Sequence, residues 1–330
     1  MHRCFITGCG GFIGSHLSEW LLSQGCRLVG ITRRNTRHIA HLTGRLAVHT
    51  CEITDRAQLV SLVRAAQPEF VFHLAALDVI QASWHDPKAT FEVNVLGTVC
   101  LLEAVREARP DAVVQIAGSG AEYGPSTPEE LPIAETRVPR PVNPYALSKT
   151  AAVELGRLYA LRFGMRVHSV RPLQFIGPRK YPDACSEFAR GIIEVERGRL
   201  TDLPVGNLEA VRDLLDVRDG VKAMWLIAQS GRSGEVFNVC SGMGYVLRDI
   251  LQKMMTLAGI TVRIREDPAR LRPLDVPAIV GDNSKLRGLG WQKEIPIERT
   301  LAEILDYWRR VPDLTLPTWA GQEVTSGSQT

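Results

Sequence analysis

The sequence predicts an α/β protein built on a doubly wound parallel sheet. Two observations carry this prediction. Short apolar runs alternate with helix-length amphipathic stretches through the first 172 residues, and the first run ends in a glycine-rich turn. Alternation of this kind places parallel strands between two layers of helices.

The runs at 3–7, 27–31, 45–49, 70–75, 112–117 and 166–171 read as strands. Most of them are apolar along much of their length, as strands covered on both faces are expected to be. A helix is expected over 14–24, from the glycine turn to Gly25. A second is expected over 88–108, where Phe91, Val95, Val99, Leu102 and Val105 recur every three or four residues before Pro110. A third follows Asn143-Pro144 over 144–163, since proline is well placed at the first helical position. Beyond residue 172 proline and glycine become frequent and the alternation breaks. The expected organisation is a sheet domain over 1–172 and a smaller C-terminal α/β substrate lobe over 173–311. Val236, Phe237 and Val239 mark a late return strand at 234–240, residues 298–310 a final helix, and 312–330 a flexible tail.

Composition excludes several classes. Lys plus Arg number 39 against 36 Asp plus Glu, a net charge of +3, too small for a phosphate-coating nucleic-acid binder. No run of about 18 apolar residues predicts a membrane span. The first eight residues reach glycine too soon for a signal-peptide core, so a cytoplasmic protein is expected. The cysteines (Cys4, Cys9, Cys26, Cys51, Cys100, Cys185, Cys240) are scattered, without a C-x-x-C pair, and read as small core residues rather than metal ligands. No metal site is expected.

The turn after the first strand carries Gly8-x-x-Gly11-x-x-Gly14, with Gly10, Phe12 and Ile13 between. A pyrophosphate seated at a helix N-terminus needs bare backbone N–H groups, which glycines leave open. This is the signature of a Rossmann-type dinucleotide site. A carboxylate at the end of the second strand would select NAD by bonding the ribose hydroxyls. The chain has Thr32, Arg33 and Arg34 there, which suit a 2′-phosphate and favour NADP, with NAD still open. Glu52 and Ile53, after the third strand, are candidates for the adenine, while Asp55 suits a helix cap.

Tyr145 and Lys149 stand four apart at a helix start and so share a face. A nearby ammonium is expected to lower the phenol pKa and fit the pair for acid–base chemistry at a carbonyl or alcohol. Ser119, at the end of the fifth strand, can donate to the reacting oxygen.

Together these residues resemble the extended short-chain dehydrogenase/reductase family of nucleotide-sugar enzymes, over residues 3–310. The matching stretches are Thr7 to Gly14, His73-Leu74-Ala75-Ala76, Asn94-Val95-x-Gly97-Thr98, Tyr145-x-x-x-Lys149 and Arg171-Pro172. The resemblance implies that Leu74, Ala75, Ala76 and Asn94 line the dinucleotide, with Tyr145 and Lys149 also at the nicotinamide ribose. The runs 205–213, 237–242 and 267–273 resemble the GDP-sugar branch, reductases that form GDP-D-rhamnose and GDP-mannose 4,6-dehydratases. That likeness implies a GDP-sugar substrate, with Arg212 and Arg272 on the diphosphate and Asp78, Ser119 and Gln174 toward the sugar. Gln174 and Leu77-Asp78-Val79 depart from the family pattern.

A dehydratase needs a carboxyl acid to protonate the leaving hydroxyl; the resemblance places a Glu two residues after the Ser/Thr, or an Asp just before that Glu, and here those residues are Ala121 and Gly120. The expected activity is therefore NADP-dependent reduction of a 4-keto-6-deoxy sugar nucleotide. An NAD-dependent 4-epimerase is the alternative, a 4,6-dehydratase or a non-catalytic dinucleotide binder the remoter ones. The resemblance also implies a homodimer formed by the 88–108 and 144–163 helices.

Overall fold

The computed structural model describes residues 1–33, 36–270 and 276–312. Seven parallel strands form its main sheet. They are β1 (Arg3–Thr7), β2 (Arg27–Thr32), β3 (Leu46–Thr50), β4 (Phe70–His73), β5 (Val113–Ala117), β6 (Arg166–Pro172) and a late strand at Val236–Val239. The spatial order is the late strand, β6, β5, β4, β1, β2, β3, so the direction of winding reverses between β1 and β4. Loops leaving the carboxyl ends of those two strands diverge, and ligands of open α/β sheets bind in such crevices. The late strand pairs with β6, Phe237 opposite Val170, as its apolar pattern predicts.

Successive β1 residues point to opposite faces. Cys4 and Ile6 join Leu17, Leu21, Phe72 and Phe237 in one core layer. Phe5 joins Ile31, Val71, Val114 and Leu101 in the other. Each fully buried Leu or Phe contributes roughly 1.5–3 kcal/mol to this double-sided core.

Helix α1 (Phe12–Ser23) follows the glycine turn and α2 (Arg56–Ala66) follows β3, capped by Asp55, which accepts from Gln58 N–H at 2.9 Å. The expected 88–108 helix is segmented. Short helices α3 (Ile80–His85) and α4 (Pro87–Phe91) lead into a π turn at Glu92–Leu96 and then α5 (Gly97–Ala108). The π turn inserts one residue and buries Asn94, while Phe91, Val95 and Val99 of the expected apolar face are only half-buried. Helix α6 spans Pro144–Phe163 and starts at Asn143, whose side chain accepts from Ala146 N–H.

The chain divides into two units that interleave along the sequence. The first comprises Met1–Phe175, Asp213–Gly244 and Ala278–Ile295. The second comprises Ile176–Arg212 and the described residues of Tyr245–Pro277 and of the chain from Pro296. Segment 213–244, which includes the expected return strand, and segment 278–295 group with the sheet. Within the second unit three helices (Ala184–Glu196, Leu247–Ala258, Ile297–Arg309) pack together, beside a parallel pair of strands, Asp202–Val205 and Arg263–Glu266. The expected tail at 312–330 lies outside the described residues apart from Pro312. No described helix is long and apolar enough to cross a membrane.

Candidate active site

The turn between β1 and α1 is built by close backbone contacts. Gly8 has φ +72°, and a Cβ there would lie 2.9 Å from Ala75 N. Gly8 and Cys9 both donate to the Ile31 carbonyl, at 2.8 and 3.2 Å, which pins the turn to β2. A Cβ on Gly14 would collide with the Gly8 carbonyl oxygen and lie 2.9 Å from Cys9 Cα. Gly11 is the N-cap of α1, where no side chain caps the helix and no acid occupies the first turn. Gly10 is buried, Phe12 and Ile13 half-buried. A helix N-terminus approached over bare backbone fits the pyrophosphate of a dinucleotide.

A hydrogen-bonded chain runs from this turn toward α6. Thr98 Oγ1 donates to the Asn94 carbonyl at 2.6 Å, so it accepts from His73 Nε2 at 2.9 Å. His73 Nδ1 then accepts from Thr7 Oγ1 at 2.8 Å, and Thr7 in turn accepts from Leu74 and Ala75 N–H, each at 3.1 Å. This arrangement requires a neutral imidazole with its proton on Nε2. Burial, aided by the charge of Lys149, pushes the His73 pKa down to about 3. Asn94 accepts from Leu77 N–H at 2.8 Å and donates to Leu77 O at 3.0 Å and to Ser148 Oγ at 2.9 Å. Ser148 donates to the Tyr145 carbonyl at 2.7 Å.

Tyr145 N–H donates to Ser83 Oγ at 3.2 Å, fixing the start of α6. The Ser119 side chain acts on the Tyr145 phenol, favouring its ionised form. Lys149, one turn along, is 6% exposed. The expected lowering of the phenol is not found. Burial pushes Tyr145 well above the ordinary tyrosine range, opposed by Ser119 and reinforced by the Asp78 and Glu122 carboxylates. Burial also lowers Lys149 to about 8, against the pull of Glu122 and Asp78. Desolvation, which disfavours whichever form is charged, outweighs attraction in both groups.

The remaining candidates are distributed as follows. Thr32 ends β2 and is buried, Arg33 is exposed, and Arg34 lies outside the described residues. Glu52 is exposed. Ile53 is 5% exposed and its side chain packs in the core beneath Gly97. Ala76 is half-buried, beyond the two N–H groups held by Thr7. Asp78 is exposed, yet its charge reaches both Tyr145 and Lys149. Gln174 is half-buried at the start of a short strand, Gln174–Ile176. Arg212 Nη1 donates to the Val276 carbonyl at 2.8 Å, and Arg272 lies outside the described residues.

A family model described as GDP-mannose 4,6 dehydratase matches residues 5–304. The chain belongs to that family. GDP-6-deoxy-D-mannose reductase of Pseudomonas aeruginosa is 32% identical over 311 residues, 93% of this chain and 97% of the relative. The structure of RMD from Pseudomonas aeruginosa complexed with NADPH superposes with a TM-score of 0.82 at 31% identity, covering 94% of this chain and 99% of that one. UDP-glucose 4-epimerase of Thermus thermophilus, in complex with NAD, gives a TM-score of 0.84 at 28% identity over 93% of this chain and 99% of that one. The chain is thus an enzyme of the extended short-chain dehydrogenase/reductase class, among sugar-nucleotide reductases, dehydratases and epimerases.

Several residues with buried or long-range contacts were not singled out from sequence. Ser148 and Thr98 sit inside recognised motifs, but their partners are distant in the chain. Glu122 turns into the core instead of toward solvent. In the second unit the Arg190 guanidinium lies over the Tyr181 ring at 4.3 Å and the Trp308 ring at 5.2 Å. Arg270 pairs there with Glu187 at 3.2 Å, two residues before Arg272 in the run read as GDP-sugar-like. Local spacing carries no signal for contacts of this range.

Proposed function

We propose that this chain is an NADP-dependent reductase of a 4-keto-6-deoxy sugar nucleotide, converting GDP-4-keto-6-deoxy-D-mannose to GDP-D-rhamnose or a closely related sugar. One observation carries the reading. Ser119 acts on the Tyr145 phenol and Lys149 stands one turn further along the same helix, while residue 121 is alanine and the neighbouring Glu122 carboxylate is fully buried against Arg171. The trio can protonate an alkoxide, but its loop offers no acid to expel a hydroxyl.

The roles follow from the electrostatics. Tyr145, held above its ordinary pKa, stays protonated at neutral pH and serves as the proton donor to the C4 oxygen. Ser119 hydrogen-bonds that oxygen as negative charge develops on it. Lys149, with a pKa of about 8, is largely cationic at neutral pH and stabilises the phenolate left behind. NADPH, when bound, supplies the hydride. Gly8, Gly11 and Gly14 would hold its pyrophosphate, and Thr32 and Arg33 its 2′-phosphate. The substrate reading leans on the reductase likeness, with Arg212 and Arg272 toward the diphosphate and Asp78 and Gln174 toward the sugar. Exposed Leu147, Leu158 and Leu161 line one stripe of α6, the surface on which a second copy would pair.

Thermal-shift screening against GDP-, UDP-, dTDP- and CDP-sugars with NADPH or NADH tests the ligands, since ligands of the native state raise its melting temperature. NADPH oxidation with the 4-keto sugar follows turnover. The expected result is stabilisation by NADPH and a GDP-sugar, and a Tyr145→Phe variant that binds NADPH without turnover. Tightly held NAD with no net NADPH consumption would make the chain an epimerase instead. Failure to bind any sugar nucleotide would make it a non-catalytic binder.

A further inference from the structure

We propose that Glu122 is a positioning residue for this reaction, holding Ser119 in place from beneath its loop through a buried ion pair with Arg171. The inference rests on the reductase reading above. Glu122 Oε1 accepts from Ser119 N–H at 2.7 Å, and Oε2 accepts from Arg171 Nε at 2.9 Å. Ser119 Oγ accepts from Ala121 N–H at 3.2 Å, closing a capping box over the turn Gly120–Tyr123. Arg171 Nη1 donates to Tyr123 Oη at 3.1 Å, and Tyr123 donates to Asn238 Oδ1 at 2.6 Å. Glu122, Tyr123 and Asn238 are fully buried and Arg171 is 3% exposed. The serine's backbone is thereby tied to β6 and to the late strand of the sheet.

The space for this carboxylate exists because residue 118 has no side chain. A Cβ there would collide with Glu122 Oε1 and lie 2.9 Å from Val153 Cγ2. A capping box by itself needs no burial. Thr127 and Glu130 form one at the surface of the same loop region, with Thr127 N–H donating to Glu130 Oε2 at 3.0 Å. Stability does not account for the pair either, because apolar residues of similar volume often do as well as a buried ion pair. Geometry remains, since a fork bonded on both oxygens admits one orientation of the Ser119 peptide. Burial pushes the Glu122 carboxyl up and Arg171 opposes it. Arginine does not deprotonate in proteins, so the Glu122 carboxylate is the counter-charge on which the buried guanidinium depends. Its charge also reaches Lys149 and Tyr145, alongside that of Asp78.

The test is a mutant cycle on the full chain. Glu122→Gln keeps an acceptor for Ser119 N–H but strands Arg171, so Glu122→Met/Arg171→Met is made beside it, removing both charges. The double variant is expected to keep its melting temperature within a few degrees and its NADPH dissociation constant within about twofold. Its kcat should fall about tenfold or more, with little further loss when Ser119→Ala is added, as for residues acting in series. Losses that multiply on the Ser119→Ala background, or a stable double variant with wild-type kcat, would overturn the proposal. A crystal structure of the double variant gives a readout independent of turnover. The Ser119 hydroxyl is expected to leave the Tyr145 hydroxyl, and an unmoved Ser119 would overturn the proposal. If the wild-type enzyme reduces no sugar nucleotide, the functional reading fails while this structural arm still decides the role of Glu122.

Discussion

Asn94 holds Leu77 by both backbone groups, accepting from its N–H at 2.8 Å and donating to its carbonyl at 3.0 Å. Its remaining amide proton goes to Ser148 at 2.9 Å, beside Lys149. The Asn94 side chain therefore fastens the stretch after β4 to the helix that carries the proposed catalytic pair, and it projects from a π turn that opens the preceding helix. Replacing Asn94 by Leu leaves two backbone groups and a serine without this partner. The expected effect is a stability loss of about 1–3 kcal/mol, read by urea denaturation, and a fall in kcat larger than any rise in KM for NADPH. A Leu variant with wild-type kcat would remove Asn94 from the site.

The alkaline limb of the rate profile should report Lys149. Its pKa of about 8 implies that the ammonium supporting the phenolate is lost as pH rises through that value, and the rate with it. Asp78 helps to keep Lys149 charged, so Asp78→Asn is expected to move this limb to lower pH by a fraction of a unit. Because Asp78 is exposed, added salt should mimic the substitution. A limb insensitive to both changes would contradict the assignment.

His73 predicts acid lability of the fold. Its pKa is lowered to about 3, below the ordinary value of 6.5, so the unfolded chain binds a proton that the folded chain does not between those limits. Stability is therefore unaffected by this group above pH 6.5 and declines as pH falls below it, on the order of a few kcal/mol in all. His168, lowered to about 4 by burial, adds to the same slope. Melting temperatures of the wild type and His73→Asn between pH 7 and 4.5 should converge on acidification, the variant being less stable at neutral pH but flatter.

The glycines of the dinucleotide turn should rank by the space each has. Alanine at Gly14 meets the Gly8 carbonyl and Cys9 Cα, both backbone, whereas alanine at Gly11 meets only the Gly8 oxygen, at 3.3 Å. Gly14→Ala is expected to weaken NADPH binding at least tenfold in a fluorescence titration, and Gly11→Ala distinctly less. The reverse order would mean that the turn is not the pyrophosphate seat.

Much of this protein can be read along the chain. Strands buried on both faces announce themselves as short apolar runs, and Val236 to Val239 could be recognised as a sheet strand although it lies far from the others in sequence. The glycine spacing, Asn143-Pro144 and the Tyr145–Lys149 interval are equally local, because one turn or one helix face creates each of them. The chain alone thus determined the layered α/β sheet and the glycine turn after its first strand, and it singled out Ser119, Tyr145 and Lys149 as the candidate trio. Tertiary structure decided the rest. It grouped the residues flanking the return strand, within 213–244, and segment 278–295 with the sheet unit, held His73 neutral, raised Tyr145 instead of lowering it, and turned Glu122 inward onto Arg171. Those outcomes depend on desolvation and on partners dozens of residues away, and neither quantity exists until the chain has folded.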